Sequence, residues 1–318
     1  MRVVLLLPLL LVTATACDQV TIRSRGDAGP DSLASLWEQV DAGPTNFNAV
    51  SGSSAENVFI VGDQGTVLHW DGTALLREES GTSANLRGVA VGSANLTYAV
   101  GEQGTILRRQ DGVWSADVPV TDAVLNAVWA DDATAAAVGE QGTALVFSGG
   151  VWTVIPNARN DNYYAITNSD DGLTSIGSLG VVSHINLEAK SISAVSLPGY
   201  TKLLAGATRW STGAYFVGVE GGFFFWSAGK AVKTEGLPPV FLRAVAVAGG
   251  DAWVVGNEGF VAKLPGGQSP TIIATPDERW LMGVYAASAT DLWIVGRSGA
   301  LWRGPPGIRG IGDGGAHD

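Results

Sequence analysis

Five acidic side chains recur at one turn of a repeated unit: Asp63, Glu102, Glu140, Glu220 and Glu258. Each stands between two glycines, in VGDQGT, VGEQGT (twice), VGVEGG and VGNEGF. A fold that gathers those turns on one face would make the face acidic, suited to a basic protein partner, a cation or a glycan. The connections between repeats would add Asp122, Asp161, Asp277, Tyr163, Tyr164 and Trp280 to it. Acids are also ordinary turn residues, so the constellation speaks for a binding surface more than for a reaction.

Reactive chemistry has little else to work with. The three histidines, His69, His184 and His317, show no metal-ligand spacing, so no metal site and no cofactor is expected. A single cysteine, Cys17, excludes an intramolecular disulfide and a thiolate cluster. No histidine is placed to activate a serine or cysteine nucleophile. The G-x-x-G turns lack the lysine and following helix of a phosphate-binding loop. No complete S-x-D-x-G-x-T-W Asp-box occurs, and arginines that could hold a carboxylated sugar, such as Arg87 and Arg243, are scattered. Asn168 to Gly172 matches a calcium loop only loosely and reads as an Asx-rich turn.

The elements that must position the acids come from the repeat itself. The first glycine of the turn returns at Gly62, Gly101, Gly139, Gly177, Gly218, Gly256 and Gly296, in steps of 38 to 41 residues. The clearest copy runs LNAVW, polar ADDAT, AAAVG, the turn EQG, TALVF, a second turn SGG, and VWTVI. Four short apolar runs separated by turn signals make a four-stranded meander, with no helical spacing to compete. The third turn residue, always glycine, is expected at positive φ, closing a type I turn with a G1 bulge. The earlier glycine is expected where neighbouring backbones pack closely.

Seven such units at a roughly forty-residue period predict an all-β fold, a seven-bladed β-propeller of four-stranded antiparallel blades. The two ends of the chain supply an internal check. The last copy has three runs, Leu281–Ala286, Asp291–Gly296 and Ala300–Arg303, while an orphan run, Leu36–Val40, precedes the first copy. The N-terminal strand is therefore expected to complete the last blade and close the ring, which removes exposed sheet edges.

The unit V-G-x-x-G-T, a D-G or G-G turn and then Trp appears as Gly101–Thr105 with Asp111, Gly112 and Trp114. It appears again as Val138–Thr143 with Gly149, Gly150 and Trp152. This pattern resembles the BNR-like propeller repeats of the photosystem II stability/assembly factor family, and those of uncharacterised bacterial propeller lipoproteins. The resemblance covers about residues 36–303. It implies a scaffold that binds partner proteins and is not an enzyme, and it carries over no functional residue.

The flanking segments bear on address. Residues 1–16 read as an export signal: Arg2, an apolar run Val3–Val12, then Ala14-Thr15-Ala16. With Cys17 they resemble a bacterial lipobox, so Cys17 is expected to carry lipid and residues 17–34 to form a flexible tether. Asp18 matches an inner-membrane retention signal of some bacteria, but the outer membrane or cell surface is favoured. Residues 304–318, rich in Gly and Pro, are expected to be a disordered tail after a propeller spanning 35–303. The net charge of −11 argues against nucleic acid and against an anionic membrane surface, leaving membrane attachment to the N-terminal lipid alone. The expected function is therefore that of a monomeric, non-enzymatic cell-envelope lipoprotein whose propeller binds a protein or glycan. The alternative is a propeller-mouth hydrolase or lyase acting on an envelope or extracellular polysaccharide.

Overall fold

The computed structural model describes residues 37–93, 96–169, 172–197, 204–210, 213–265, 269–273, 275 and 277–304. The export signal, Cys17, the tether, Asp170 and Asp171 of the calcium-like turn, and the tail with His317 lie outside the described residues. Seven four-stranded antiparallel sheets form the molecule, as the repeat count requires. Six are built from consecutive strands: blade 1 spans 47–78, blade 2 86–116, blade 3 125–154, blade 4 163–196, blade 5 204–233 and blade 6 242–273. Blade 7 takes three strands from 281–304 and its outermost strand, Glu38–Gln39, from the start of the described chain.

That latch is held on both sides. Glu38 pairs with Arg303 and Gln39 with Trp302, and Val40 N–H donates to Leu301 O at 2.9 Å. Trp37 is buried in the seam between blades 6 and 7, and Val40 in the seam between blades 7 and 1. Closure thus buries apolar surface as well as pairing an edge.

The core is distributed over the seams. Each of seven apolar clusters joins two neighbouring blades; Phe59, Val61 and Val67 of blade 1, for example, pack on Leu86, Leu107 and Trp114 of blade 2. This explains the apolar runs. The second strand of each blade, covered on both faces, is buried throughout in Ala135–Gly139, whereas in the outer strand Val151–Val154 only Trp152 is buried. The recurring tryptophan of the outer strand is a seam residue. Trp114 Nε1 donates to Glu78 Oε2 of blade 1 at 2.7 Å, and Trp152 Nε1 to Asp117 Oδ2 of blade 2 at 2.9 Å.

The glycine turns are tighter than the expected type I turn with a bulge. In all seven copies the residue before the second glycine is also left-handed: Gln64, Gln103, Gln141, Leu179, Glu220, Glu258 and Ser298 have φ between 53° and 58°. Thr143 N–H donates to Glu140 O, so Gln141 and Gly142 are the central pair of a type I′ turn. The primed turn matches the right-handed strand twist, which is why it prevails. Gly142 has a second duty, because a Cβ there would lie 1.9 Å from Arg159 O of the connection to the next blade. Gly139 is extended, but its Cβ would lie 2.0 Å from Val124 O, the close approach expected of the first glycine.

Candidate functional site

The second-to-third-strand turns and the connections between blades share one face, and the first strands of the blades start there. Each first strand begins with a bulge. Pairing skips one residue between Phe47 and Ala49, and likewise at Leu86/Gly88, Leu125/Ala127, Tyr163/Ala165, Leu204/Gly206, Leu242/Ala244 and Leu281/Gly283. The skipped residues form a ring: Asn48, Arg87, Asn126, Tyr164, Ala205, Arg243 and Met282. A bulge re-aims a side chain out of the ladder, and six of the seven line a central cavity of about 290 Å³ at the mouth, with Glu140, Phe241 and Arg297. Below it the channel is lined by the next residue of each strand, always Ala or Gly: Ala49, Gly88, Ala127, Ala165, Gly206, Ala244 and Gly283. Small residues are required there because the first strands converge on the axis; a Cβ on Gly206 would sit 2.7 Å from Arg243 O.

This ring and its small-residue companion were not singled out from the sequence, although a signal exists. The pairs read NA, RG, NA, YA, AG, RA and MG, each 13 or 14 residues before the first turn glycine. A bulge breaks the period-two alternation that marks a strand, so the pattern hides inside an apolar run.

The five turn acids separate into two sets. Asp63, Glu102 and Glu140 occupy the first turn position and are half-buried; Glu140 lines the mouth cavity, and Asp63 and Glu102 bond Asn48 and Arg87, which line it. Glu220 and Glu258 occupy the second, left-handed position and are exposed. The other predicted face residues divide too. Tyr164 lines the cavity, and Trp280, 47% exposed, flanks Arg243. Asp122 is exposed, while Asp161 and Asp277 are ion-paired to Arg159 and Arg279. Tyr163 is no face residue: it is fully buried, its hydroxyl bonded to Asn157 and Ser183 at 3.1 Å each, because the bulge sends its neighbour outward instead.

In blades 1, 2 and 6 the first turn residue bonds the bulge residue. In blade 1, Asp63 accepts from Asn46 at 2.8 Å and from Asn48 at 2.9 Å. Burial works to raise its pKa, but those two bonds and the positive charges of Arg297 and Arg87 leave it lowered. In blade 2, Glu102 pairs with Arg87 and accepts from Asn85, and the Arg87 bond leads in lowering its pKa. In blade 6, Arg243 Nε donates to Asn257 Oδ1 at 2.8 Å, and its guanidinium stacks 4.0 Å from the Phe241 ring centre. Burial, and then the like charge of Arg297, lower the pKa of Arg243. The arginines scattered in the sequence are thus gathered: Arg87, Arg243 and Arg297 line one cavity.

Elsewhere the polar side chains are committed to the scaffold. His69 bonds Glu78 at 3.0 Å and Asn57 at 2.9 Å, and His184 meets Thr174 at 3.4 Å, so neither imidazole reaches the mouth. Among the described residues there is no group of three or more His, Cys, Asp or Glu able to hold a metal. Every described carboxylate with a shifted pKa (Asp63, Asp71, Glu78, Glu102 and Asp131) is shifted down, opposite to the shift that makes a general acid at neutral pH.

No family model matches the chain, and no curated protein matches it either. Solved structures do. The chain is similar to YCF48 bound to D1 peptide at 16% identity and TM-score 0.70, over 85% of this chain and 94% of that one. It is similar to YCF48 from Cyanidioschyzon merolae at 14% identity and TM-score 0.69, over 84% and 98%. The WD40 β-propeller domain of Doa1 gives 15% identity and TM-score 0.69, over 82% and 93%. At such identities the likeness is one of fold, and it agrees with the seven closed blades: the chain is a seven-bladed β-propeller with the architecture of the YCF48 and WD40 propellers.

Proposed function

We propose that the protein is a non-enzymatic binding scaffold that takes a segment of a protein partner at the propeller mouth. The observation that carries the reading is the bulge ring. Six described side chains, of amide, guanidinium, phenol and thioether type, line the mouth at one register, and each is followed by an alanine or glycine that lines the channel below. Rigid positioning of variable side chains is what recognition needs. A propeller of similar fold, YCF48, has been solved with a peptide bound, which supports a protein as the kind of partner. Lipidation at Cys17 and residence in the cell envelope belong to the same proposal, on the residues of the export signal and lipobox.

A photo-crosslinking residue placed at Tyr164 or Trp280 in the full-length chain, expressed in its own cells, tests the reading. Crosslinks to a discrete protein are expected from these two positions and not from Val232 on the outer edge of blade 5. Equal labelling from all three positions would contradict it.

A further inference from the structure

The pairing of turn and bulge residues, made in blades 1, 2 and 6, leaves a charged turn residue unmatched in blades 3 and 7. In blade 3, Asn126 turns its amide to Tyr163 O at 2.9 Å, so Glu140 gains nothing from it. In blade 7 the bulge residue is Met282, which can bond no guanidinium, so Arg297 is left likewise. Among the described residues neither Glu140 nor Arg297 makes a side-chain hydrogen bond or ion pair, although both line the same cavity. Seven-fold geometry sets blade 3 across the ring from the junction of blades 6 and 7. The mouth therefore carries an unpaired carboxylate on one side. On the other it carries two guanidiniums, Arg243 and Arg297, which line the same cavity, while the Asp63 carboxylate that feels the charge of Arg297 is already bonded to Asn46 and Asn48. Beside them Phe241 and Met282 form an apolar wall.

Two like charges in a partly enclosed space are unfavourable until an anion sits between them, and arginine forks match a carboxylate in a bidentate manner. The lone Glu140 asks for a cation in the same way. A cavity of about 290 Å³ lies at the small end of ligand sites, enough for one residue rather than a folded surface. An α-ammonium lies too near its own carboxylate to reach across a ring, so the cation must end a longer chain.

We propose that the mouth binds a free carboxylate and a basic side chain carried on one residue, the carboxylate between Arg243 and Arg297 and the cation on Glu140. Such a residue is the C-terminal lysine or arginine of a polypeptide, or the free amino acid. This rests on the mouth being a binding site and specifies what enters it.

Calorimetric titration of the full-length protein tests the proposal. The probes are acetyl-Ala-Gly-Lys with a free C-terminus, its C-terminal amide, acetyl-Ala-Gly-norleucine with a free C-terminus, and free lysine. The lysine acid should bind, and both the amide and the norleucine peptide should bind at least tenfold more weakly. Arg297→Gln should remove the preference for acid over amide, and Glu140→Gln the preference for lysine over norleucine. Each variant should keep the wild-type melting temperature. Free lysine binding as tightly as the tripeptide would identify the amino acid as the source, and tighter binding of the tripeptide would identify a chain end. Equal binding of acid and amide, equal binding of lysine and norleucine, or binding to none of the four would overturn the proposal. Mouth crosslinks obtained alongside such a result would leave the wider scaffold reading standing.

Discussion

The glycine turns and the bulge ring stand side by side at the mouth, yet they behave in opposite ways. In the turn, two glycines recur in all seven blades; a Cβ would run into a neighbouring carbonyl at six of the first glycines and six of the second, and the second is left-handed in every blade. One strand away, at the bulge, the blades carry Asn, Arg, Asn, Tyr, Ala, Arg and Met. The backbone is equally regular at both places. What differs is the space each side chain is given: none at the turn, an open channel mouth at the bulge. Recurrence in a repeat protein therefore marks geometry, and recognition belongs where the fold fixes a position without fixing its chemistry.

Filling the space at the turn is the most damaging way to break that contrast. Gly142→Ala combines a left-handed alanine with a clash against Arg159 O, and is expected to destabilise by about 3 kcal/mol or more, read by chemical denaturation. An effect no larger than that of a mouth substitution would mean that the turn is pliable and that its glycines are not held by geometry.

Acid should act next, on the seams that hold the frame. Glu78 is bonded by His69 and Trp114 and doubly by Arg109, linking blades 1 and 2. Burial works against its ionisation, but these partners hold its pKa down to about 2. A carboxylate lowered in the folded state contributes stability above its unfolded pKa, near 4.3. That contribution is lost as pH falls from there through about 2. It should amount to on the order of 2 kcal/mol, and Glu78→Gln should flatten this part of the stability–pH curve. An unchanged slope in the variant would remove Glu78 from the account.

The second turn position is the intermediate case, variable in type yet strained in backbone. Leu179 is 65% exposed at φ 56°, so its side chain gives up little packing while its backbone sits where leucine is disfavoured. Leu179→Asn should raise stability by about 0.5–1 kcal/mol, seen as a higher melting temperature. A loss of stability would show that Leu179 makes a contact that outweighs its backbone. At the far end of the scale, Arg297→Gln should shift stability by less than about 0.5 kcal/mol, since among the described residues no side-chain hydrogen bond or ion pair holds that guanidinium and Asp63 acts on it only through space.

The blade count, the missing fourth strand of the last copy and its replacement by the segment around Glu38–Gln39 were all legible in the sequence, because each leaves a period or a surplus run. The turn was read at the right residues but with the wrong hand at its centre. Gln64, Gln103 and Leu179 are not residues that announce a left-handed conformation, and the strand twist imposes it. The mouth was the hardest part. Five recurring acids were visible, but a string of letters does not show that Asp63, Glu102 and Glu140 turn inward while Glu220 and Glu258 face outward. Nor does it show that Arg87, Arg243 and Arg297, drawn from blades 2, 6 and 7, meet around one cavity. Those relations arise only when the ring closes.

Selection of a displayed random peptide library on the full-length protein tests the central claim most directly. Enriched peptides would be re-measured on two double variants: Arg243→Ala with Arg297→Gln at the mouth, and Glu220→Gln with Glu258→Gln on the outer turn position. The account predicts that the mouth variant weakens binding at least tenfold and the outer variant leaves it unchanged. Binding that survives the mouth variant but falls with the outer one would place recognition on the recurring turns and contradict it.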